Sequence, residues 1–195
     1  MPISVEDIKK LRDQTGAGMM KAKEALETSG GDFEKAVTWL REKGEASAAK
    51  RAEREVRAGL ISAYVHGGRI GVLVEVNCET DFVARTEEFK EFARDIAMQV
   101  AATSPEYVRP EEVPAEIIEK EQAIYRKEAA GKPEAVIEKI VEGKLAKYYE
   151  QVCLTQQPFV KDPDVSVAQL TTSLIAKLGE NIVIRGFKRL ELGAN

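Results

Sequence analysis

One histidine, His66, and two cysteines, Cys78 and Cys153, are all the imidazole and thiol groups that 195 residues offer. A lone histidine leaves no companions for a catalytic triad and removes most zinc sites. The cysteines form no C-x-x-C pair, and in a reducing compartment they read as two buried thiols, not a disulfide. Aromatic residues make up only 6% of the chain, too few for the base-stacking platform of a single-strand binder. Charge of one sign is missing too: 29 basic residues face 33 acidic ones, a net charge of -4, which supplies no general field for nucleic acid or anionic membrane. No run of about 18 apolar residues exists, so no bilayer span is expected. The opening Met1-Pro2-Ile3-Ser4-Val5-Glu6-Asp7 lacks the zones of a signal peptide and is too acidic for a transit peptide. The expected location is the cytoplasm.

What is present is charge of both signs, 32% of the residues, in helical patterns typical of a helix-rich globular chain. Residues 1–44 read as three short helices forming one partner-binding module. Ser4 precedes Val5, Ile8 and Leu11, with Asp7 placed to close a capping box. After Gly16-Ala17-Gly18 a second helix puts Met19, Ala22 and Leu26 on one face and stops at Gly30-Gly31. Asp32 caps a third with Phe33, Ala36, Val37 and Leu40 at core spacing, and Lys43-Gly44 is expected to end it. Such short helices must pack on each other, in an arrangement resembling the ubiquitin-associated fold. Trp39 lies off the core face, and Met20 exceeds what so small a core can use. The Gly16-Ala17-Gly18 stretch is no phosphate loop, because no strand precedes it and no Gly-Lys-Ser/Thr follows.

Residues 45–57 are alanine-rich and of mixed charge, as in a solvated helical linker. From residue 58 to 195 the pattern predicts an α+β core. Leu60 to Val65 and Ile70 to Val76 read as two strands joined by a tight turn at His66-Gly67-Gly68-Arg69. The second run is apolar on nearly both faces and predicts a covered, central strand, in which Gly71 is expected to mark a close backbone approach. A helix carrying Phe89, Phe92, Ala93, Ile96, Ala97 and Val100 follows. Residues 114–153, broken at Gly131-Lys132-Pro133, predict a projecting antiparallel helical hairpin. Residues 157–163 read as an irregular loop. A last helix through Val167, Leu170, Leu174 and Leu178 stops at Gly179, and a strand from Ile182 to Leu192 should join the first two. A small antiparallel sheet covered by helices on one side results, with an open face that a second copy can cover.

Between the second strand and the next helix lies Asn77-Cys78-Glu79-Thr80-Asp81-Phe82-Val83-Ala84-Arg85, a large apolar side chain beside an acid at a corner. Two readings stand. Asp81 caps the helix and Phe82 staples its first turn, or the pair is a wedge offered to a partner.

Five words in order resemble the elongation factor Ts family: Thr15-Gly16-Ala17-Gly18-Met19-Met20, Ala48-Ala49-Lys50-Arg51-Ala52, Val76 through Ala84, Gln157-Pro158-Phe159-Val160 and Gly179-Glu180-Asn181-Ile182. The resemblance implies a guanine-nucleotide exchange factor for elongation factor Tu, with no catalytic chemistry and no cofactor of its own. It acts on the GDP and magnesium that its partner holds. It further implies docking through Arg12, Met19, Met20, Lys23 and Arg51, where many members carry lysine in place of Arg51. Exchange contacts would come from Thr80, Asp81, Phe82, Val83, His66, Leu178 and Gly179. A chain with one sheet and one helical arm resembles the family's short form, which implies a homodimer. Set beside these are a scaffold or adaptor that uses the three-helix module alone, and an RNA binder using Arg51, Arg54 and Arg57 or Arg185, Lys188 and Arg189. The acidic balance argues against the second, and no paired carboxylates or ligand cluster support an enzyme.

Overall fold

A computed structural model describes residues 3–194; Met1, Pro2 and Asn195, the ends of the N-terminal module and the core read above, lie outside the described residues. The fold is α+β and divides into two compact units, each assembled from three stretches of chain. One comprises Met1–Leu60, Val76–Glu91 and Gln169–Val183; the other comprises Ile61–Glu75, Phe92–Ala168 and Ile184–Asn195.

The first unit opens with α1 (Val5–Thr15), α2 (Met19–Thr28) and α3 (Phe33–Ala49). Ser4 Oγ accepts from the Asp7 amide at 3.0 Å while Asp7 accepts from the Ser4 amide at 3.3 Å, the reciprocal box that its sequence predicts. A cap of this kind contributes about 1 kcal/mol. Asp32 accepts from the Lys35 amide and starts α3. Ile8, Leu11, Ala22, Ala25, Leu26 and Ala36 form the buried core, with Phe33, Val37, Trp39 and Leu40 packed around it. Alanine at half of these core positions lets the three helices approach closely.

Gly44 does not end α3. The helix runs on to Ala49, and Gly44 is buried inside it, where an added Cβ would lie 3.6 Å from Ala176 Cβ. Ala176 belongs to α8 (Val167–Leu178), so the glycine is a helix-to-helix contact and residues 45–49 continue the same helix. Lys21 Nζ adds a bond to the Ala176 carbonyl at 3.3 Å, and Lys177 pairs with Glu88 at 3.5 Å.

Strands β1 (Ala58–His66), β2 (Ile70–Cys78) and β5 (Ile182–Glu191) form a sheet in the order β1-β2-β5, with β2 central as its composition predicts. Gly67 and Gly68 take φ of 55° and 69°, and the Arg69 amide donates to His66 O at 3.0 Å, a two-residue turn that suits the strand twist. Only one face of β2 is covered. Val72, Val74, Val76 and Cys78 are buried, whereas Leu73, which points the other way, is 52% exposed. Ile61, Val65, Leu190 and Leu192 are likewise exposed. The glycine that needs close backbone approach is Gly59, where a Cβ would sit 2.3 Å from Val76 O; around Gly71 there is open space.

In the second unit α5 (Glu87–Thr103, shared with the first) carries the apolar stripe predicted for it, with Phe92, Ala93, Ile96, Ala97 and Val100 buried. Helices α6 (Ala115–Glu128) and α7 (Glu134–Val152) form the expected hairpin. They are tied by Arg126 to Glu134 and Glu138 and by Lys144 to Glu128. Val113, Val152 and Cys153 make a small core at its base with Tyr107, Ile117, Ile118, Tyr148 and Tyr149. Residues 157–163 are not irregular: β3 (Pro158–Phe159) pairs antiparallel with β4 (Asp162–Ser166). Buried Gln99 holds this pair, donating to Gln157 Oε1 and Pro158 O and accepting from the Val160 amide at 2.8 Å.

Candidate functional site

At the end of β2 the backbone leaves the sheet through Glu79 and Thr80 and makes a one-turn helix, α4 (Asp81–Ala84). Thr80, not Asp81, is the cap: its Oγ accepts from the Val83 amide at 3.4 Å. Val83 and Ala84 turn inward and are buried, so the helix is pinned by its last two residues and its first two face outward. Phe82 is 82% exposed and staples nothing. Asp81 is exposed as well, and its carboxylate makes no hydrogen bond or ion pair among the described residues. Thr86 Oγ then accepts from the Phe89 amide, starting α5.

The mount behind this tip is built from three distant parts of the first unit. Glu180 accepts from the Thr80 amide at 3.0 Å and from Thr80 Oγ at 2.6 Å. Glu79 accepts from the Asn181 amide at 2.6 Å and meets Arg54 at 3.5 Å. Asn181, 4% exposed, donates its side-chain amide to the carbonyls of Arg54 and Ala52 at 2.9 and 3.3 Å. Arg51 Nε donates to Gly179 O at 2.9 Å, and its Nη1 binds Ser47 O and Oγ. Beneath the corner Cys78 is buried and donates to Thr80 O. Burial, with Glu180 nearby, pushes its thiol up to about 11, so it stays protonated and unreactive.

The residues named from sequence do not all meet at this corner. Thr80, Arg51 and Gly179 are brought into this one bonded network, with Leu178 half-buried just before it. Val83 is inside, so it can support the tip but offers no surface. Arg51 is only half-exposed, and its guanidinium is engaged within the chain.

On the three-helix module Met20 is 76% exposed and Met19 40%, so Met19 is not the core residue its spacing implied. Ala22, Ala25 and Leu26 fill that core without it. Arg12 is exposed and bonded to Asp13, and Lys23 is exposed beside Glu27 at 3.6 Å. His66 belongs to the second unit, exposed at the hairpin turn with Tyr64 Oη 3.1 Å from its Nδ1.

Sequence reasoning assigned no chemistry to Glu79, Glu180, Asn181, Gly44 or Gly59. The word Gly179-Glu180-Asn181-Ile182 was the available signal; an acid and an amide straight after a helix stop are well placed to bond neighbouring backbone. Among the described residues no group of three or more histidine, cysteine, aspartate or glutamate side chains could hold a metal. Among the described residues no helix is long and apolar enough to cross a membrane. The arrangement offers an aromatic beside an unpaired carboxylate on a braced corner, together with an exposed methionine edge.

Residues 5–194 match the family model described as Elongation factor TS. The chain is 60% identical to elongation factor Ts of Carboxydothermus hydrogenoformans, over 98% of this chain and 89% of that one. It is 59% identical to elongation factor Ts of Thermotoga petrophila, over 99% and 98% respectively. With that of Thermodesulfovibrio yellowstonii it shares 55%, again over 99% and 98%.

Proposed function

Since the chain belongs to the elongation factor Ts family, we propose that it binds elongation factor Tu and promotes GDP release as a nucleotide exchange factor without catalytic chemistry. Asp81 and Phe82 enter the partner near its magnesium and phosphates, and GTP rebinds once GDP has left. No cofactor of its own is required. It works in the cytoplasm, touching neither nucleic acid nor membrane directly.

The observation that carries this reading is Phe82, exposed on a corner held by the bonds to Thr80 and by the burial of Val83 and Ala84. Covering that ring in a partner contributes about 1.5–3 kcal/mol. Reversing a population from 1:99 to 99:1 takes about 5.5 kcal/mol, so the wedge needs an anchor. Met19, Met20, Arg12 and Lys23 supply it on the ubiquitin-associated-like module, with adaptable thioethers at its edge. By linkage, this chain and GDP weaken each other's affinity for elongation factor Tu by the same factor.

The open sheet supports a homodimer, since Ile61, Val65, Leu73, Leu190 and Leu192 are exposed apolar side chains on its strands and following turn. Equilibrium sedimentation at micromolar concentration checks this, and a monomer alone would contradict it.

The main test is stopped-flow release of fluorescent GDP from elongation factor Tu. Phe82→Ala should lower the maximal release rate while most docking affinity remains, and Met20→Ala should weaken docking. Release as fast with Phe82→Ala as with the parent chain would end the wedge reading.

A further inference from the structure

We propose that Glu180 is the positioning residue of the exchange corner: its carboxylate clasps Thr80 and so fixes the direction in which Asp81 and Phe82 are presented. The proposal rests on the wedge reading and adds to it the part that aims the wedge.

The corner cannot hold itself. A helix of four residues lies far below the length at which helical turns persist unaided, and its own cap bond, Val83 amide to Thr80 Oγ, is long at 3.4 Å. Glu180 supplies what is missing. One carboxylate oxygen takes the Thr80 amide proton at 3.0 Å and the other takes the hydroxyl proton at 2.6 Å. A threonine hydroxyl has one proton and two lone pairs. Once the proton points to Glu180, the lone pairs are free to receive the Val83 amide, so the clasp also orients the cap. Bonds to an ionised acceptor are shorter and stronger than neutral ones, and both act on the residue directly before the tip.

The clasp has a fixed base. Gly179 is held through its carbonyl by Arg51, and Asn181 is held by Glu79, Ala52 and Arg54. Glu180 therefore reaches Thr80 from a turn braced on both sides. No basic side chain pairs with Glu180 among the described residues, although Asp81, Glu79 and buried Cys78 lie around the same corner. With no ion pair of its own, Glu180 contributes through the two bonds to Thr80. An aromatic on a loosely held turn would have to be ordered at the moment of insertion, a cost that preorganisation removes.

Three variants of the full chain are compared in the stopped-flow assay: Glu180→Ala, Glu180→Gln and Phe82→Ala. Amide hydrogen exchange at Thr80 and Val83 is measured on each free protein. Glu180→Ala should lower the maximal GDP release rate by about tenfold, leave the half-saturating concentration within about twofold, and speed exchange at both amides. Glu180→Gln keeps one accepting oxygen and should fall between Glu180→Ala and the parent in rate and in protection, which serves as the test should the alanine variant fold poorly. If Phe82→Ala slows release and Glu180→Ala does not, the clasp has no positioning role although the wedge stands. A slower rate with unchanged protection at Thr80 and Val83 also overturns the proposal, because Glu180 would then act on the partner directly. If Phe82→Ala itself leaves release unaltered, the wedge reading has failed and the clasp with it.

Discussion

The Nε of Arg51 donates to the carbonyl oxygen of Gly179 at 2.9 Å, a bond between residues 128 positions apart in the chain. With Lys21 on the Ala176 carbonyl, it places two cations at the carbonyl end of α8, where the helix dipole favours them. The guanidinium fork reaches Gly179 and Ser47 at once, which an ammonium cannot do in the same geometry. Arg51→Ala should cost about 1–2 kcal/mol and Arg51→Lys about half of that, read from urea denaturation with fluorescence of Trp39.

Gly44 gives a two-sided prediction. Alanine there would meet Ala176 Cβ at 3.6 Å and Thr172 Cγ2 at 4.0 Å, ordinary packing distances. Removing a glycine from a helix interior gains up to about 1 kcal/mol, so Gly44→Ala should stabilise. Gly44→Leu must push α3 from α8 and should destabilise by about 1–3 kcal/mol. Thermal midpoints moving in the same direction for both would contradict the contact.

Gly59 is less forgiving. With φ of 150° and Val76 O only 2.3 Å from a new Cβ, Gly59→Ala strains the backbone and parts β1 from β2. A loss of about 2 kcal/mol or more is expected. Gly71→Ala, in open space, serves as the control and should lie within about 0.5 kcal/mol of the parent.

The two thiols predict how stability responds to alkali. Burial is the main reason both Cys78 and Cys153 are pushed up to about 11, with Glu180 adding to the first and Glu111 to the second. An unfolded thiol loses its proton near pH 8.5. Below that range both states keep it and the stabilisation is complete; above it the unfolded chain is deprotonated first. Stability should therefore fall as pH rises through about 11, with the raised phenols of Tyr125, Tyr148 and Tyr149 acting in the same direction. Replacing both cysteines with alanine should flatten the slope between pH 9 and 11. At pH 8 iodoacetamide should label the denatured chain but not the native one.

Much of this was legible in the residues because it is local. The Ser4–Asp7 box, the Asp32 cap, the Gly67–Gly68 turn and the stripe from Phe89 to Val100 each depend on neighbours a few positions away. What could not be read depends on partners far along the chain. Thr80 and Asp81 are both good caps in isolation, and it is Glu180 that decides between them. Gly44 looks like a helix stop until Ala176 is beside it, and the choice between Gly59 and Gly71 rests on cross-strand register. Met19 shares the face of Ala22 and Leu26, yet three short helices supply too little volume to cover it. The acid–aromatic tip stands out in the sequence as an oddity, and the exposure of Phe82 with Thr80 as the cap removes the stapled alternative.

The first unit closes only when Gln169–Val183 joins Met1–Leu60 and Val76–Glu91. During synthesis, the corner therefore waits for a carboxylate near the other end of the message. A ribosome that halts before residue 180 leaves Thr80 without the carboxylate that grips it and Phe82 on an untethered turn.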